Sequence, residues 1–76
     1  MFDERKVKRL KEMYPAGTRI QLDHMDDPFH TVESGTTGTV RFIDDAGTIH
    51  MNWDSGSSLG LCPGCDSFHI IGKEGN

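Results

Sequence analysis

Between Gly38 and Leu61 the chain reads GTVRFIDDAGTIHMNWDSGSSLGL, and apolar and polar residues alternate through it three times. Such alternation marks half-buried strands. The first run sets Val40 and Phe42 on one face and Thr39, Arg41 and Ile43 on the other. The second turns Ile49, Met51 and Trp53 inward, leaving Thr48, His50 and Asn52 outside. The third turns Leu59 and Leu61 inward, with Ser58, Gly60 and Cys62 outside. Asp44-Asp45-Ala46-Gly47 and Asp54-Ser55-Gly56 interrupt the pattern with residues that favour tight turns. A three-stranded meander is predicted.

Two further strands flank it. Arg19 to His24 has Ile20 and Leu22 inward, and Ser67 to Ile71 follows the break at Pro63-Gly64. A helix is predicted over residues 3–14, because Val7, Leu10, Met13 and Tyr14 fall on one stripe at 3.6-residue spacing. Asp3 suits its N-cap, and Pro15 and Gly17 end it. Residues 25–37 form a long polar loop carrying Asp26, Asp27, Phe29, His30 and Glu33. The expected fold is therefore mainly β with one N-terminal helix. Residues 1–14 make the amphipathic helix, 15–72 a small five-stranded SH3-like partly open barrel, and 73–76 a disordered tail. Closure is expected because a flat sheet of short strands leaves its edges open.

Size narrows the chemistry. At 76 residues the chain is one domain with a thin core, too small for a deep dry pocket. No apolar run approaches the ~18 residues of a membrane span, and MFDERKVKRL lacks the apolar stretch of a secretory signal. With only two cysteines, a cytoplasmic monomer without a membrane partner is expected. The net charge of −4 hides an asymmetry. Residues 1–14 carry Arg5, Lys6, Lys8, Arg9 and Lys11 against three acids, whereas 15–76 carry three cations against nine acids. An acidic body disfavours nucleic acid as a general partner, and the basic helix face keeps that partner in view.

Several ordered motifs carry a likeness. Tyr14-Pro15-Ala16-Gly17-Thr18-Arg19, Met25-Asp26-Asp27-Pro28, Gly38-Thr39-Val40, Asp44-Asp45-Ala46-Gly47, Asn52-Trp53-Asp54-Ser55-Gly56 and Pro63-Gly64-Cys65-Asp66 resemble the small bacterial domain-of-unknown-function family 4314. The resemblance implies a setting on plasmids, phages and conjugative elements, and supplies no mechanism. More loosely, Gly38-x-Val40 and a strand ending Trp53-Asp54-x-Gly56 are similar to SH3-like modules in larger ubiquitin-ligase proteins, an analogy of fold alone.

Three sites are candidates. The leading one binds a protein or peptide through loop 25–37 and the rim at Trp53, using Asp26, Asp27, Phe29, Trp53 and Asp54; by parity Trp53 is first of all a core residue. The alternative is a nucleic-acid accessory factor using Arg5, Lys8, Arg9 and Lys11. The third is a zinc or redox site at Cys62-Pro63-Gly64-Cys65. Zinc needs four ligands, and only His69 and, by strand parity, His50 are available to join the thiols. A redox dithiol ordinarily places its first cysteine at a helix N-terminus, whereas this pair ends a strand, so two thiols flanking a turn, with no function, is the leading account. No cofactor is expected. Gly56-Ser57-Ser58-Leu59-Gly60 matches a nucleophile-elbow pattern but follows a hairpin turn, and the paired aspartates sit in turns, so the chain reads as a non-enzyme.

Overall fold

In a computed structural model, residues 3–25 and 32–74 are described. One helix precedes four strands: α1 (Glu4–Met13), β1 (Thr18–His24), β2 (Thr37–Ile43), β3 (Ile49–Trp53) and β4 (Ser67–Lys73). The strands form an open antiparallel sheet of order β3-β2-β1-β4.

α1 starts where an aspartate can cap it. Asp3 is extended, and its carboxylate accepts the Arg5 N–H at 2.9 Å. The helix ends as the Tyr14 N–H donates to the Leu10 carbonyl at 2.8 Å. Val7 and Leu10 are the side chains nearest Gly47 in the β2–β3 turn, while Tyr14 meets Phe68 of β4 edge-on at 5.6 Å. The helix thus crosses the sheet. Met13, the remaining member of the predicted stripe, stays half exposed.

Four strands are present among the described residues, where the sequence pattern suggested five. Residues 58–62 touch β3 at separate points instead of running along it as a ladder. The Ser57 carbonyl accepts the Trp53 N–H at 3.0 Å, and Ile49 and Leu61 exchange a pair of bonds at 3.0 and 2.8 Å. Between these points the Trp53 indole Nε1 donates to the Leu59 carbonyl at 2.7 Å. A side chain stands where ladder bonds would lie. Leu61 is nonetheless fully buried, on the predicted inward side.

A second correction concerns β2. Val40 faces Met51 and Phe42 faces His50, so Arg41 has no counterpart on β3. This β-bulge inverts the parity downstream of it. Ile43 joins Val40 in the core and Phe42 turns to solvent, whereas alternation puts Phe42 on the face of Val40 and Ile43 on the other. At the other edge, β4 reaches Lys73, and the Glu74 N–H donates to the Gly17 carbonyl at 2.7 Å. The β1–β4 pairing is irregular at two places, between Arg19 and Ile20 and between Leu22 and His24, and Ile70 and Ile71 remain exposed.

The core lies on the helix-facing side of the sheet. Ile20, Leu22, Val40, Ile49, Met51 and Trp53 come from three strands, and Leu61, Met25 and Val32 close over them from the connections. Gly38 sits opposite Trp53 across the β2–β3 pair. A Cβ there would meet the indole Cε3 at 2.7 Å and the Trp53 Cα at 3.0 Å. On the outer face Arg19 ties the sheet together. Its guanidinium grips both Asp54 oxygens at 2.8 and 2.6 Å and donates to the Thr39 hydroxyl at 3.0 Å, while the Thr37 hydroxyl also donates to Asp54. The hydrogen bonds from Arg19 and Thr37 hold the Asp54 carboxyl well below the usual carboxylate range.

These contacts give two expectations. Gly38→Ala forces backbone or indole movement and should lower the free energy of unfolding by about 2 kcal/mol in a urea titration. Because the Asp54 pKa is depressed on folding, its contribution is complete above about pH 4 and fades as the pH falls towards the folded value. The thermal midpoint of the native protein should therefore drop between about pH 4 and pH 2, and Asp54→Asn should drop less over the same interval.

Candidate functional site

The bulge at Arg41 builds the most distinctive surface. Phe42, turned outward, is 49% exposed and stacks on His50, its cross-strand neighbour, with centroids 4.3 Å apart and planes 9° apart. The Arg41 Cζ lies 5.9 Å from the Phe42 ring centroid. His50 is itself oriented, because its Nε2 donates to Asp44 Oδ2 at 2.8 Å. Asp44 in turn is fixed by its turn: Oδ1 accepts the Ala46 and Thr48 N–H groups at 3.0 and 2.9 Å. The hydrogen bond from His50, followed by that from Thr48, pulls the Asp44 pKa down. An aspartate, an imidazole, a phenyl ring and a guanidinium therefore run in sequence across the sheet surface.

A groove of about 330 Å³ lies beside this stack, lined by Lys11, Tyr14, Pro15, Ala16, Arg41, Phe42 and Ile43. Its origin is topological. β1 pairs with β2 only from Thr37 to Thr39, so the second half of β2 outruns its neighbour. The Gly17 N–H reaches the Val40 carbonyl at 2.9 Å, which brings the end of α1 against that half of β2. A second groove of about 420 Å³, lined by Glu4, Val7, Lys8, Lys11 and Asp45, shares Lys11 with the first. Lys11 Nζ stands 3.6 Å from Asp45 on an exposed surface, a pair that solvent weakens. Lys8, Lys11 and Arg41 thus form a cationic track that ends at an exposed aromatic ring.

The other predicted site residues are scattered. Trp53 is 2% exposed with its indole N–H engaged, so it offers no rim to a ligand. Asp54 is exposed but gripped by Arg19. Asp26, Asp27 and Phe29 lie outside the described residues. Of the basic helix residues, Arg5 lies 3.6 Å from Asp3 and both Arg5 and Arg9 are exposed, while Lys8 and Lys11 line the grooves. The four proposed metal ligands do not converge. His50 faces Asp44, and His69 Nδ1 is 2.9 Å from Asp23 across the β1–β4 pair. Among the described residues no group of three or more His, Cys, Asp or Glu could hold a metal ion, and no helix is long and apolar enough to cross a membrane.

Cys62 and Cys65 are free and exposed. The Cys65 and Asp66 N–H groups both donate to the Cys62 carbonyl, at 3.0 and 2.9 Å, and Asp66 Oδ2 accepts the Cys62 N–H at 2.9 Å. Gly64 takes φ +93°, as the third position of a type II turn with proline at the second requires. The Cys62 Sγ donates to the Pro63 carbonyl at 3.9 Å, and the neighbouring Cys65 side chain, followed by desolvation, pushes the Cys62 thiol pKa up.

Sequence reasoning missed Phe42 as a surface residue. One signal was present: Phe42 and Ile43 are consecutive apolar residues at a strand end, where alternation cannot bury both. Searches of curated proteins and of solved structures returned no match. The model of one family, described as "Domain of unknown function (DUF4314)", matches residues 3–71, from the cap of α1 into β4, and the chain belongs to that family.

Proposed function

We propose that this domain is a non-enzymatic binding module whose ligand lies along the Lys8–Lys11–Arg41 track and stacks on Phe42. The ligand that suits these groups is a single strand of nucleic acid. Phosphates need cations at intervals, and every base has a flat face that an exposed aromatic ring can take. The single observation that carries this reading is the outward Phe42, held flat by His50 and flanked by Arg41 and Lys11. It supplies the stacking ring that the basic helix alone lacks. The burial of Trp53 speaks against its rim as the binding surface and in favour of the groove at the end of α1.

The setting that the family resemblance implies agrees with this reading. The resemblance to domains of plasmids, phages and conjugative elements favours a nucleic-acid accessory role in a cytoplasmic monomer. We also read the sheet as an SH3-like, partly open barrel. The 57–61 segment meets the free edge of β3 at separate points, bridged at Ile49–Leu61, which supports a fifth strand reduced to a bridge. The acidic remainder of the body limits contact to the track, so the expected affinity is modest.

Fluorescence anisotropy with a labelled oligonucleotide of mixed sequence tests this directly. Binding at low salt should weaken with a log–log slope of about −2, the value for three phosphate contacts on a single strand. Phe42→Ala should weaken it about tenfold through loss of one stacked base. Lys8→Glu with Lys11→Glu should remove most of the salt dependence. Retention of full affinity by these variants, or no binding at low salt, would sink the proposal; salt-insensitive capture of an acidic peptide by the same groove would replace it with a peptide-binding role.

A further inference from the structure

We infer that Cys62 and Cys65 form a reversible oxidation site, closing to an intramolecular disulfide across the Pro63-Gly64 turn. The site shares no lining residue with the groove at Phe42, and the inference is independent of the function proposed there.

The backbone already has the required shape. The Cys65 N–H bond to the Cys62 carbonyl, at 3.0 Å, makes these residues the first and fourth of a β-turn. The Cα atoms at those positions lie less than about 7 Å apart, and a disulfide spans Cα separations of about 4.4–6.8 Å. Three hydrogen bonds hold the turn: two into the Cys62 carbonyl, and one from the Cys62 N–H to Asp66. Closure therefore asks only for side-chain rotation. Both cysteines are exposed to an oxidant, and the Cys62 thiol makes only a long contact, 3.9 Å to the Pro63 carbonyl. His50 and His69, the side chains that would recruit the thiols to a metal, face aspartates elsewhere.

The oxidant is a small-molecule disulfide, and the chemistry is thiol–disulfide exchange. Both thiols are exposed, so either can begin the exchange, and the steps are the same with the two cysteines interchanged. As its thiolate, Cys65 attacks one sulfur of the small disulfide, forming a mixed disulfide and releasing one small thiolate. Cys62 then loses its proton and displaces the second small thiolate from Cys65. The two protein thiols give up two protons and two electrons, and the small disulfide becomes two thiols. A small dithiol reverses the sequence.

The bond would sit at one mechanical junction. Leu61, immediately before the turn, is fully buried and bridged to Ile49, while Ser67, two residues after Cys65, begins β4. Oxidation would tether the return segment to the edge strand and leave the core contacts as they are.

The test equilibrates purified protein in buffers of varied oxidised-to-reduced glutathione ratio, followed by acid quenching, alkylation and mass spectrometry. A monomer two hydrogens lighter, refusing the alkylating agent and restored by dithiothreitol, is expected. Its thermal midpoint should exceed that of the reduced form by several degrees, since a cross-link restricts the unfolded chain (a shift on the order of 5 °C). Cys62→Ser and Cys65→Ser each keep one thiol and lose the one that resolves its adduct, so each should stop at a single glutathione adduct. Two alkylatable thiols in the most oxidising buffer would overturn the inference. So would oxidation that yields only disulfide-linked dimers or doubly glutathionylated chains.

Discussion

A tryptophan that buries its ring must also find a partner for its indole N–H, and this requirement organises the domain. Burying such a side chain removes about 150–250 Å² from water, while an unpaired buried N–H costs about 1–3 kcal/mol. Trp53 meets the demand with the Leu59 carbonyl. That choice bends the return segment away from β3 between Ser57 and Leu61 and leaves only a bridge where a strand was expected. The same ring lies over Gly38 so closely that β2 can carry no side chain at that position. One side chain therefore sets the spacing of β2 and β3, the path of the segment that follows, and the identity of a residue on the opposite strand.

Much of the fold was legible because it rests on local chemistry. Asp3 and Pro15 bound the helix, the Asp-Gly turns fall at Asp44–Gly47 and Asp54–Gly56, and Ile49, Met51 and Trp53 point inward together. What escaped depends on tertiary contacts. A bulge at Arg41 costs one residue of register and exchanges the fates of Phe42 and Ile43, and alternation assigns faces only while the register holds. The Trp53–Leu59 bond likewise has no sequence signature, since a buried indole can choose among many carbonyls. The candidate site suffered most. Its cations, Lys8, Lys11 and Arg41, are visible as outward positions, whereas alternation places the Phe42 ring on the face of Val40, which the core takes.

Electrostatics divides the surface into two roles. On one part of the sheet Arg19 grips Asp54 with both arms and joins Thr37 and Thr39, so its charge is matched within the fold. Along the helix, Lys8 and Lys11 have only loose or exposed acidic neighbours, and Arg41 rests over a ring. Matched charge serves the sheet. Loosely matched charge beside an aromatic surface is what an anionic ligand can use, even in a chain whose net charge is −4.

The irregular pairing of β4 has its own consequence. Ile70 and Ile71 sit half exposed on an edge strand, a combination that in a flat sheet would template pairing with another chain. The two register shifts against β1 bend and twist that strand, so its outer row of N–H and C=O groups does not present the straight, evenly spaced line that a second strand would follow. Two isoleucines thus stand in water beside an edge whose backbone path, rather than the charge of its residues, makes it a poor template for a further strand.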